Sequence, residues 1–233
     1  MIPSPARLPA DLRLLPIAGL TVAVPAAIAY AFAGLWLPHA VALLVAMGLA
    51  LLLGGALHER GLTGFCDALA LRSPLETPLS TAGAAGLVLA LLTRLEVLSS
   101  IDPSWIAVCL VTAAAFSRGC AAFALGGTMA TPGLADAPST PAAPGTRGAV
   151  AFGLGLLPAA AAAVWTGNFE VFGTAAGLAL ATTAVVRRTL VRRRLPRDAR
   201  ALGALQQLSE LGFLIGILAT LSIDDETLAD PSS

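Results

Sequence analysis

An all-α, polytopic transmembrane bundle of about seven spans, with no soluble domain, is what this sequence predicts. Hydropathy, charge content and charge placement each lead there. Of the 233 residues 57% are hydrophobic and only 12% are charged, with a mean hydropathy of +0.83. Soluble domains carry about a quarter charged residues, so a membrane class is the default. The apolar residues fall into runs of about 20, the length that crosses roughly 30 Å of hydrocarbon as a helix. The arginines gather in alternate connections between those runs.

The spans are expected at 15–36, 40–57, 83–99, 105–126, 148–166, 171–186 and 202–222, with the sixth the shortest. Breakers separate them: Leu37-Pro38-His39, Asp102-Pro103-Ser104, the Pro/Gly/Ala/Ser stretch 131–147, and Gly167-Asn168. Arg7 and Arg13 before the first run give it a superficial likeness to a secretory signal peptide. Its length and the spans that follow make it an uncleaved first helix, and 1–233 reads as one integral membrane domain. Small residues such as Gly83, Gly119, Gly153, Gly155 and Ala159 to Ala163 permit the close helix contacts by which membrane bundles pack. The three cysteines, Cys66, Cys109 and Cys120, lack paired or metal-type spacing.

Orientation follows from the arginines. The chain has 14 cationic residues, all arginine, and 14 acids. With the N-terminus inside, Arg7 and Arg13, Arg60 and Arg72, Arg147, and the series Arg187 to Arg200 all fall on inner segments. The outer side receives Asp102, Glu170 and the acids of the C-terminal tail. Adding or deleting one span would destroy this sorting, which supports an odd number of crossings. Arg94 and Arg118 lie within spans.

The chemistry is sought on the Arg-bearing side. Between the second and third spans runs the polar segment His58-Glu59-Arg60-Gly61-Leu62-Thr63-Gly64-Phe65-Cys66-Asp67, continuing to Arg72 and Glu76. Read plainly it is a solvated loop whose two glycines let the backbone bend, and Cys66 in it should be reachable from the cytoplasmic side. Read functionally, His58, Glu59, Asp67 and Glu76 offer nitrogen and oxygen ligands at the interface. Glu59 and Asp67, eight apart, would share one face of a continuous helix. Arg118, in Ser117-Arg118-Gly119, is a charge inside a span and so a site candidate, with small neighbours that leave room for something to approach. Arg94 and Glu96 cannot face each other on a helix and read as interface anchors. The block Arg187-Arg188-Thr189-Leu190-Val191-Arg192-Arg193-Arg194 suits anionic headgroups or a phosphate-bearing substrate equally. Glu210, in the last span after Gln206 and Gln207, needs a buried partner.

From His58 to Asp67 the chain resembles the cobalamin 5'-phosphate synthase family, also called adenosylcobinamide-GDP ribazoletransferases. The family signature reads His, any, Asp, Gly, Leu, any, Asp, any, any, Asp, Gly. His58, Gly61, Leu62 and Asp67 match it, while Arg60, Gly64 and Ala68 replace two aspartates and the last glycine. Further landmarks agree in order: Pro16-Ile17-Ala18-Gly19, Arg94, Ser117-Arg118-Gly119, Arg188-Thr189-Leu190, and Leu202-Gly203-Ala204 followed by Glu210. Departures cluster at the acidic blocks, which here read Glu76-Thr77-Pro78 and Leu195-Pro196-Arg197-Asp198-Ala199-Arg200, and Gln207 stands for a glutamate.

The resemblance implies a membrane phosphotransferase that joins GDP-activated adenosylcobinamide to alpha-ribazole or its 5'-phosphate and releases GMP, with Mg2+. It implies Asp67, His58 and Arg118 as catalytic, Arg118 and Arg188 as phosphate-binding, and Asp67, Glu59 and Glu76 as metal ligands. With Arg60 beside them, those ligands should hold magnesium weakly. The expected partners are the lipid bilayer and these substrates, with no nucleic acid, and the expected place is the cytoplasmic (inner) membrane with the N-terminus and Arg-bearing loops cytoplasmic. Two other readings compete: a catalytically impaired paralogue acting as a scaffold, and a different nucleotide-dependent phosphoalcohol transferase. A transporter is disfavoured because no span is interrupted by paired charges at mid-depth in both halves.

Overall fold

A computed structural model describes residues 12–71, 80–125, 145–195 and 199–229. Eight α-helices make up the described chain: α1 (Leu15–Ala33), α2 (His39–Gly54), α3 (Leu57–Leu71), α4 (Thr81–Ser99), α5 (Ile106–Leu125), α6 (Thr146–Thr166), α7 (Phe169–Arg192) and α8 (Ala199–Ala229). Every expected span has its helix, displaced by a few residues at the ends. Six helical stretches are long and apolar enough to cross a membrane alone, and α2 with α3, bent by 87° at the break, is apolar enough when taken as a pair, which makes six or up to seven candidate spans. The chain is a multi-pass membrane protein.

Two expectations about the elements are corrected. The sixth span is not the shortest: α7 has 24 residues and α2 only 16. Threonines that break the apolar run of α7 stay helical because Thr182, Thr183 and Thr189 donate their hydroxyls to the carbonyls of Leu178, Ala179 and Val185 one turn back. The segment after α2 is not a loop but the helix α3. The bend lies at Gly55 and Ala56, both left-handed (φ 61 and 54), rather than at Gly61 or Gly64.

Those two glycines serve α3 differently. A Cβ on Gly61 would stand 2.6 Å from the Gly203 Cα and 2.8 Å from the Arg200 carbonyl oxygen on α8. Backbone therefore rides on backbone where α3 crosses α8, the close approach that small residues permit in membranes. Cys66, far from lying in an open loop, is half-buried, with its sulfur over Gly86 of α4 and its neighbours Leu62, Ala90 and Leu211 in a small apolar cluster.

Helices α5 and α8 are the interior of the bundle. Most of their length is buried, whereas the other spans bury a minority and turn residues such as Leu52, Leu89, Val164 and Val185 outward. Such outward faces suit lipid. The rest is arranged around the pair: α1, α6 and α8 pack on α5, and α7 and α3 on α8.

The two ends of the bundle differ in kind. One is built round Leu15, Leu125, Val186, Leu190, Ala201 and Leu202, and it gathers the helix ends that carry Arg13, Arg147, Arg187 to Arg194 and Arg200. The other is built round Tyr30, Leu43, Leu98, Ile106, Val171 and Ile217. There lie Asp102, Glu170 and all three tryptophans, Trp36, Trp105 and Trp165. Indole rings favour the membrane–water interface, so this end is an aromatic belt. Asp102 accepts from the Ser104 backbone N–H and hydroxyl at 2.8 and 2.5 Å, contacts that hold its carboxyl below the usual range.

Candidate functional site

At the α2–α3 break a small cavity opens between α1, α2, α3, α4, α5 and α8. Val22, Ala23, Ala26, Met47 and Leu110 make its apolar wall. Five polar side chains complete it: His58, Glu59, Arg94, Arg118 and Glu210.

Arg118 on α5 is only 5% exposed. Its guanidinium donates to the Ala114 carbonyl one turn back at 2.9 Å and meets His58 Nε2 at 2.8 Å. A guanidinium has donors only, so His58 Nε2 accepts, the ring is neutral and Nδ1 carries the proton. The Gln206 side chain faces this ring from α8. Gly19 explains part of the geometry: a Cβ there would lie 2.6 Å from the Arg118 Cδ, so the glycine on α1 makes room for the arginine stem. Gly119 has another purpose, since α6 fills the space beside it and a Cβ would stand 3.2 Å from the Gly155 Cα. The room expected next to Arg118 comes from α1 instead.

Arg94 is not an interface anchor. It reaches inward from α4 and pairs with Glu210 of α8 at 2.7 Å, with side chains 12% and 7% exposed. Each is the partner the other needs, since an unpaired charge inside a membrane is costly. Glu96 is exposed, as expected of an anchor.

Of the residues implied as a site, the fold brings His58, Glu59 and Arg118 together. Asp67 stands elsewhere, buried at the start of α4, where its carboxylate accepts from the Ser80 hydroxyl and lies over Gly83. Arg60 is exposed, so it does not put a positive charge into the cavity. Arg188 is exposed near the end of α7. Glu76 and Arg72 lie outside the described residues. Among the described residues no three His, Cys, Asp or Glu side chains come close enough to hold a metal ion. Asp67 is bound to Ser80 and Glu59 lies at the α2–α3 break, while Glu76, the third ligand expected, lies outside the described residues.

The arrangement can hold an anion. Arg94 forms an ion pair with Glu210, whereas the hydrogen bonds of Arg118 go to neutral groups, the Ala114 carbonyl and the His58 ring, with the Glu210 and Glu59 carboxylates within electrostatic range. A guanidinium whose direct hydrogen bonds go only to neutral groups keeps donor capacity that suits a phosphate oxygen.

The sequence matches the family described as Cobalamin-5-phosphate synthase over residues 1–218. It is 32% identical over 231 residues to a protein of Azorhizobium caulinodans named Adenosylcobinamide-GDP ribazoletransferase, covering 90% of this chain and 86% of that one. No solved structure matches it. A match over nearly the whole chain, on a bundle of six or seven candidate membrane spans, places the chain in the cobalamin-5-phosphate synthase family.

Proposed function

We propose that this protein joins GDP-activated adenosylcobinamide to alpha-ribazole or its 5'-phosphate and releases GMP, with the reacting phosphate seated in the cavity between His58, Glu59 and Arg118. The observation that carries this reading is the buried Arg118 guanidinium, which lines the cavity and makes its direct hydrogen bonds to neutral groups alone. Arg118 then stabilises negative charge that builds on the phosphate during transfer. His58 keeps the guanidinium aimed. The apolar wall excludes water, which would otherwise compete for the activated phosphate. Family membership over residues 1–218 favours the transferase over an impaired scaffold.

The site is placed in the cytoplasmic membrane, with the arginine-rich end of the bundle toward the cytoplasm. The excess of arginine at that end and the tryptophans at the other support this orientation. Arg188 and its neighbours then meet anionic headgroups or the nucleotide outside the cavity. Magnesium belongs to the proposal only as a counter-ion of the diphosphate.

The test is an assay of purified protein in lipid nanodiscs with GDP-cobinamide and alpha-ribazole 5'-phosphate over a magnesium series. GMP and the joined product should appear in equal amounts. Arg118→Lys keeps the charge but loses the planar fork, so it should lower turnover by about a hundredfold. Donor binding with no GMP at any magnesium concentration would show that the protein is not a transferase.

A further inference from the structure

Three carboxylates are buried or half-buried among α3, α4 and α8: Glu59, Asp67 and Glu210. Two of them are committed. Glu210 holds Arg94 at 2.7 Å, and Asp67 accepts from Ser80. Glu59 lines the cavity, and among the described residues its carboxylate makes no hydrogen bond or ion pair with another side chain. It faces the same space as Arg118 and within that guanidinium's electrostatic range, with no direct ion pair between them.

The other basic group of the cavity is already occupied. His58 Nε2 takes a hydrogen bond from Arg118 and Nδ1 carries the ring proton, so neither nitrogen is available to accept one. A transfer to an alcohol needs a group that removes the hydroxyl proton as the oxygen attacks.

Resting on the transferase reading, we propose that Glu59 is the general base of this site and takes the proton of the acceptor's hydroxyl. The hydroxyl oxygen forms a bond to the cobinamide-bearing phosphorus. The bond from that phosphorus to the bridging oxygen breaks, and its electron pair leaves on GMP. The proton passes to the Glu59 carboxylate and then to water. Arg118 holds the phosphate on one side of the cavity and Glu59 the acceptor on the other, so the two charged groups bind the two reactants.

The experiment measures GMP release by wild type, Glu59→Gln, Glu59→Asp and Glu59→Ala at saturating substrates, with equilibrium binding of GDP-cobinamide to each. Glu59→Gln should lose about a hundredfold or more in kcat, the usual worth of a general base, while it still binds the donor. Glu59→Asp should keep part of the rate. Added formate should restore part of the Glu59→Ala rate, which a merely structural role would not allow. A Glu59→Gln kcat within about threefold of wild type, or Glu59→Ala that binds donor but gains nothing from formate, overturns the assignment and leaves the transferase reading standing. Absence of GMP with wild type overturns both.

Discussion

Arg118 and Arg94 show what a single residue reveals before its partners are known. Arg118 was legible because a charge inside an apolar run demands an explanation. Arg94 was misjudged because its own helix offered only Glu96, two positions away, and the real partner is 116 positions along at Glu210. A signal did exist: one buried acid in the last span and one buried base in the third call for each other. Removing half of this pair strands a charge. Glu210→Leu should therefore destabilise the protein by about 3 kcal/mol or more, and Arg94→Leu with Glu210→Leu should recover most of it. Detergent unfolding curves of the two variants check this, and equal loss in both would mean that the pair contributes nothing as a pair. The neutral tautomer of His58 could not be read from sequence, since it depends on a guanidinium 60 positions away.

Helices, by contrast, were largely legible. Span length and apolar content locate seven of them, because in a membrane every backbone group must be paired within its own segment. The exception is α3, whose polar residues and glycines mimic a loop. Its glycines are interface residues: Gly61 lies on Gly203, a contact that sequence spacing does not disclose. The far end of α3 is fastened by Asp67, which accepts from the Ser80 hydroxyl at the N-cap of α4. This docking holds the helix that carries His58 and Glu59 into the cavity. Asp67→Asn and Ser80→Ala should each lower turnover by about tenfold, with a double variant little worse than either single, since partners in one contact are not additive. A double-mutant cycle of GMP release measures this. Full additivity would show that Asp67 acts independently of Ser80.

Across the whole molecule, the sorting of arginines that the sequence displays in one dimension becomes a real end of the bundle in three. Tryptophans mark the opposite end, a feature that gains meaning only once Trp36, Trp105 and Trp165 are seen to lie at helix ends on one side of the bundle. Cysteines placed at exposed positions of the two ends should report the orientation. In a chain without its native cysteines, Ser104→Cys should react with an impermeant thiol reagent on intact cells, and Arg194→Cys only after the cells are opened. The reverse pattern would invert the topology and put the site on the wrong side for a cytoplasmic nucleotide donor.

The location of the chemistry is the claim on which the rest depends, and α2 supplies the sharpest test of it. Met47 lines the cavity, while Leu52 on the same helix is 76% exposed and faces outward. The measurement is the rate of GMP release by Met47→Trp and Leu52→Trp, each first shown to unfold like wild type. An indole at 47 should fill the cavity and abolish turnover, while one at 52 should leave the rate within about twofold of wild type. Wild-type turnover in Met47→Trp would contradict that location, because the phosphate could not then be seated between Arg118 and Glu59.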